Sequence, residues 1–287
     1  FKCSYCGPAY SSKWVEEIEN YGGYPTTDKF NDVGWMKAEN KMPIRHSDPN
    51  PYVDAFWKWW PDLYRDLHTF RITGGEPLMS KDTWKVLDYI IDEKNPNKNL
   101  DFSINSNLGV PDELITKLIE KLKRITEEDK VKGFVLFTSC DAWGAQAEYI
   151  RHGLEFSRFW NNVNRILREV PRITITFMVT YNMLSVFSFD KLIKGVYDLK
   201  REYAGDDRYW LSPVLLDTSY LRHPKHQTVQ ILPHQFKQNI FDQAQLAFYY
   251  GIPYYSKGYV GYSDLEIQKL KRTYDWAISP IKDEELH

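Results

Sequence analysis

The chain has 287 residues, enough for one large α/β domain or two small ones with a sizeable core. Its 43% hydrophobic and 26% charged residues are ordinary for a globular protein, and a net charge of −2 gives no electrostatic reason to bind nucleic acid or an acidic membrane surface. No apolar run approaches the roughly 20 residues of a spanning helix and no signal-peptide pattern is visible, so a cytoplasmic protein without membrane or nucleic-acid partners is expected.

The chain starts on Phe1 and reaches Cys3 and Cys6, spaced C-x-x-C, at once. A total of three cysteines, an odd number, argues against a disulfide framework and for a reducing compartment, where such a pair holds a metal or does redox chemistry. Positions 15 to 60 show little periodicity before 53 and read as a long excursion of functional or mobile character. Its aromatic cluster FWKWW (56–60) reads as an anchor in the core, with substrate stacking as the alternative.

From there strand-like and helix-like runs alternate. HTFRIT (68–73), LDFSIN (100–105), GFVLFTS (133–139), RITITFMVT (172–180) and YWLSPVLL (209–216) are rich in β-branched or aromatic residues and predict strands. Residues 81–94, 111–125, 155–170 and 190–203 carry apolar side chains at helical spacing, and Pro111 suits a helix N-terminus. This rhythm implies βαβ units and a parallel sheet, either a barrel or an open doubly wound sheet, with ligands at the carboxyl ends of the strands. His223 and His226 in RHPKH read as a solvated turn, and SKGYVGYSD (256–264) has glycines without a phosphate-loop pattern.

Directly after HTFRIT stands Gly74-Gly75-Glu76-Pro77. Glycines there let a ligand approach the backbone, and a carboxylate accepts hydrogen bonds from an ammonium group; a plain strand-to-helix turn is the competing reading. Cys140 follows Ser139 at the end of a strand, so if Ser139 faces a site Cys140 packs against the helices. Asp141 shares the parity of Ser139 and reads either as a site residue or as a loop cap.

Cys3, Tyr5 and Cys6 together with GGEP resemble the radical S-adenosylmethionine (SAM) superfamily, whose signature is C-x3-C-x2-C with an aromatic residue before the last cysteine. The first cysteine of that triplet would fall four positions before Cys3, so the resemblance implies that the first strand and first ligand lie upstream of Phe1. Ser139 and Arg151, twelve positions apart, are similar to the serine and arginine that contact SAM in peptide-modifying members, and INSNLG is similar to a polar turn of the same group, which makes Asn105 and Asn107 further candidates. The wording CGPAYSSKW with SCDAWGAQAEYIR looks closest to members with a twitch domain, a short relative of the SPASM domain. The absence of any cysteine after Cys140 departs from the auxiliary clusters such domains commonly carry.

The resemblance implies a partial (β/α)6 barrel over 1–216 and a C-terminal extension over 217–287. It implies an oxidoreductase-type enzyme with a [4Fe-4S] cluster on Cys3 and Cys6, and S-adenosyl-L-methionine bound by Tyr5, Gly74, Gly75, Glu76, Asn105, Asn107, Ser139 and Arg151. Reductive cleavage of SAM would give a 5′-deoxyadenosyl radical that abstracts hydrogen from a substrate. That substrate is expected to be a peptide or protein, with a small metabolite as the alternative and flavodoxin or ferredoxin as electron donor. A non-catalytic zinc site or a dithiol redox protein would also use C-x-x-C, though the first needs a second pair of ligands and the second leaves GGEP unexplained.

Overall fold

Five strands run parallel in the order in which they occur along the chain: β2 (Thr69–Ile72), β3 (Asp101–Ser106), β4 (Gly133–Ser139), β6 (Ile173–Tyr181) and β7 (Val214–Tyr220). A two-residue strand, β1 (Lys2–Cys3), pairs antiparallel with β5 (Arg151–His152) in a separate ribbon. The structure is a computed structural model and describes residues 1–43, 49–204, 212–251 and 260–281.

The order excludes a doubly wound sheet, which needs a reversal of strand order at its centre. Right-handed crossovers between successive neighbours all turn the same way and put the connecting helices on one face. Burial shows that asymmetry residue by residue. In β4 the side chains of Phe134, Leu136 and Thr138 are buried, and the intervening Val135, Phe137 and Ser139 are only half-buried. The covered face is continuous across the ladder, with Ile104 beside Leu136, Leu136 beside Ile175, and Ile175 beside Val214. The sheet is open, with β2 and β7 each paired on one edge only among the described residues.

The helices that close the covered face follow the predicted spans within a few residues: α4 (Lys81–Asp92), α5 (Asp112–Glu127), α7 (Phe156–Glu169) and α8 (Phe189–Glu202). In α5 the buried Ile115, Leu118, Ile119, Leu122 and Ile125 recur at helical spacing, Asp112 and Glu113 favour the positive N-terminal end, and Pro111 precedes it. Two further helices, α9 (His234–Gly251) and α10 (Asp264–Ile278), pack on each other and against α8 and β7. Residues on both sides of the expected division at 216 therefore share one strand.

Two expectations meet a different structure, and the core-anchor reading of FWKWW holds for Trp60 and not for Trp59. The stretch from 15 to 60 is substantially helical, with α1 (Ser12–Tyr21), α2 (Val33–Ala38) and α3 (Pro51–Asp66), whose first turns are capped by the side chains of Ser11, Asp32 and Asn50. Trp60 is 1% exposed and anchors α3, whereas Trp59 is 59% exposed. Finally, among the described residues the last strand runs from Val214, just after Pro213, to Tyr220, past the expected end at 216; Pro has no N–H for a ladder. Of that predicted strand, 209–211 lie outside the described residues, as do 256–259 of the glycine-containing segment.

Candidate functional site

The C-x-x-C turn is anchored at the carboxyl ends of the central strands. The Cys6 N–H closes a turn on the Cys3 carbonyl at 3.0 Å, and Trp14 Nε1 donates to the same carbonyl at 3.1 Å. Ser4 N–H bonds the Ile150 carbonyl at 2.8 Å, while the Gln227 side chain accepts from Ser4 Oγ and donates to the Ser4 carbonyl, both at 2.9 Å. Tyr5 Oη donates to Asp141 Oδ2 at 2.8 Å.

Asp141 is the hub of this arrangement and is fully buried. Besides Tyr5 it accepts from Arg151 Nε at 2.8 Å, from Arg151 Nη2 at 3.1 Å, and from the Thr180 N–H at 2.7 Å. The fourfold hydrogen bonding offsets the cost of burying the charge. Arg151 Nη1 reaches Cys3 Sγ at 3.6 Å, and the guanidinium lies 5.8 Å from the Tyr5 ring centroid. The fork is thus held by Asp141 and Cys3, which differs from an open carboxylate clamp.

The two thiols are unequal. A hydrogen bond from Cys6, aided by the Arg151 charge, outweighs burial and brings Cys3 down from 9.0 to about 6. Cys6 is pushed up, by its bond to Cys3 first and then by burial. The shift favours the thiolate at Cys3 and the thiol at Cys6, and both sulfurs are soft donors.

The second part of the site is the GGEP turn at the end of β2. Gly74 adopts φ +138°, which favours glycine, and a Cβ added to Gly74 or Gly75 would meet nothing, so both backbones face open space. They border a cavity of about 220 Å³ walled by Phe56, Trp57 and Phe70. Glu76 is engaged on both oxygens: Oε1 accepts from Leu78 N at 3.1 Å and Ser106 Oγ at 2.9 Å, and Oε2 from Asn107 N at 2.8 Å. It caps the short 3₁₀ turn Pro77–Met79 and ties the ends of β2 and β3 together. Burial raises its pKa despite those donors.

The remaining sequence candidates divide between the two faces. Ser139 and Asn105 lie on the open face. Asn105 Oδ1 accepts from Arg71 Nε at 2.8 Å, and the Arg71 guanidinium sits 3.9 Å from the Phe137 ring centroid. Asn107 Oδ1 takes the Gly109 N–H at 2.9 Å, a local turn. Cys140 is wholly buried and its thiol points at the Ala142 carbonyl, 3.1 Å away. His223 and His226 are exposed. Sequence reading passed over Arg71, Thr180 and Gln227. For Arg71 a signal existed, since a charge inside HTFRIT on the parity opposite Phe70 and Ile72 marks an open strand face.

Among the described residues no three of His, Cys, Asp and Glu come together as a metal site, so these residues supply two neighbouring soft donors and not a third. Those two suit iron or zinc by type. Among the described residues no helix is long and apolar enough to cross a membrane. No family model, curated protein or solved structure matches the chain.

Proposed function

We propose that the chain is the core of a radical SAM enzyme in which Cys3 and Cys6 bind a [4Fe-4S] cluster. The observation that carries this reading is the Cys3–Cys6 pair on a turn tied to the carboxyl ends of β4 and β6, on the edge of the parallel sheet where β2 ends in the open Gly74-Gly75 backbone. Thiolates are the ligands such clusters use. The reading requires a third cysteine four positions before Cys3, and one more strand beside the free edge of β2, which would extend the sheet toward a partial (β/α)6 barrel. When bound, the cluster supplies an electron for reductive cleavage of SAM to a 5′-deoxyadenosyl radical.

The chain's own residues have separable tasks. Arg151 balances the Cys3 charge and, through Asp141 and Tyr5, fixes the turn. The Gly74 and Gly75 carbonyls, with the lone pairs left on Glu76, would receive an ammonium group. Ser139 and Asn105 would offer a hydroxyl and an amide on the open face, and Asn107 stands beside Glu76. The substrate, a peptide or protein segment in this proposal, would lie across the open face, which the helices leave uncovered; a small metabolite is the alternative.

Anaerobic reconstitution of the protein extended by its upstream residues tests the assignment. The wild type should turn brown, hold iron and sulfide, and convert SAM to 5′-deoxyadenosine under reduction. Cys3→Ala with Cys6→Ala should hold neither. Full iron loading of that double variant would overturn the reading. A second reading, a dithiol redox pair, is favoured by the same depressed Cys3 thiol; it predicts a colourless protein that cycles between Cys3–Cys6 disulfide and dithiol.

A further inference from the structure

Helix α10 runs alongside the free edge of β7, and its residues at every third position meet the strand in turn. Glu266 takes the Leu216 N–H at 2.8 Å, Lys269 pairs with Asp217 at 2.6 Å, and Arg272 comes to the last residues of the strand. There the helix and strand part around a cavity of about 300 Å³ lined by Thr218, Ser219, Tyr220, Arg222, Lys269 and Arg272. Three of its six lining residues carry positive charge and none carries negative charge.

Two observations mark this pocket within the cationic surface. Thr218 is 2% exposed, and its Oγ1 is buried without a hydrogen-bond partner. An unpaired buried hydroxyl costs free energy, and Thr218 stands in the lining of the cationic cavity. Alternate residues of an edge strand send their N–H groups out of the ladder; since that of Leu216 goes to Glu266, that of Thr218 goes to the same side. In addition, Arg222 and Arg272 are exposed and make no ion pair among the described residues; Arg222 lies over the Tyr220 ring at 5.4 Å, and Tyr220 stacks on Trp276 at 5.0 Å. Among the described residues the only carboxylate that pairs with the cluster is Asp217, on Lys269, which leaves a surplus of two positive charges there.

We propose that this pocket binds a phosphate group, as the free dianion or as the monoester of a small molecule. Phosphate carries close to two negative charges at neutral pH and three acceptor oxygens as a monoester, which match the charge surplus and the donors of two guanidiniums, an ammonium and two hydroxyls. A carboxylate has one charge and would leave donors unused. The inference rests on the cavity alone and is independent of the chemistry proposed at Cys3 and Cys6.

Calorimetric titration of the protein with inorganic phosphate and with phenyl phosphate tests it. Phosphate should bind in the millimolar range or tighter, and Arg222→Gln with Arg272→Gln should weaken it roughly tenfold or more. Thr218→Val keeps the side-chain shape, so it should weaken phosphate severalfold without lowering the melting temperature of the phosphate-free protein. Equal binding of the two probes would mark a monoester site open to solvent on one side, and binding of phosphate alone would mark a closed site for the free anion. No binding up to about 10 mM, or the same affinity in the double arginine variant, would overturn the proposal.

Discussion

Arg151 and Asp141 form a buried two-point pair, with Nε to Oδ2 at 2.8 Å and Nη2 to Oδ1 at 3.1 Å, and this pair carries the cysteine turn. Removing one partner leaves the other charge uncompensated in the interior. Asp141→Ala should therefore cost about 3–5 kcal/mol in denaturant unfolding, with Asp141→Asn intermediate. A loss under 1 kcal/mol, as exposed pairs give, would show that the pair is not buried in solution.

The Cys3 thiol should titrate near pH 6 in metal-free protein, read as thiolate absorbance in the ultraviolet, against an ordinary 9.0. Cys6→Ala removes the hydrogen bond that is the largest cause and should move the midpoint upward. The sign for stability follows. A thiol depressed in the folded state contributes stability that is complete above pH 9 and is lost as pH falls toward 6, so this contribution should disappear over that window and be absent in Cys3→Ala.

Glu76 joins the ends of β2 and β3, so Glu76→Gln should be felt by the fold before any ligand is added. An amide keeps one acceptor and turns an NH₂ toward a backbone N–H, a mismatch of about 1–3 kcal/mol. Burial raises the Glu76 pKa above 4.5, so ionisation opposes folding and the stability advantage of the wild type over the variant should shrink as pH rises through and above 4.5. Unfolding curves at pH 4 and pH 7 that differ in the opposite direction would refute this account.

The Lys200 ammonium is wholly buried, held by the Val214 carbonyl at 2.7 Å and by Glu266 at 2.9 Å. Glu266 also caps α10 through Ser263. Lys200→Met should destabilise by about 3–5 kcal/mol because it strands the Glu266 carboxylate, and Glu266→Gln in the same chain should recover part of that. Simple additivity in this double-variant cycle would deny the coupling.

Helices α4, α5, α7 and α8 were legible because each offers a long apolar stripe, and the strands before them because β-branched runs end in turn residues. Helices α1 and α2 were not, since 10 and 6 residues give too few repeats of a helical period, although Ser11 and Asp32 were available as caps. At the site, Cys3, Cys6 and Glu76 stand in compact local patterns that sequence displays directly. The role of Asp141 was hidden because its partners Tyr5 and Thr180 lie 136 and 39 positions away, and spacing carries no signal over such separations.

Gln227 grips both the hydroxyl and the carbonyl of Ser4 across a separation of 223 residues. During synthesis the cysteines emerge first, yet their supports, Asp141, Arg151 and then Gln227, emerge progressively later. The turn can reach its final geometry only after nearly the whole sheet has been made. High contact order is thus concentrated at the two thiols, so loading of the proposed cluster on the finished turn would be a late event, and a chain released early exposes an unbraced C-x-x-C to oxidation.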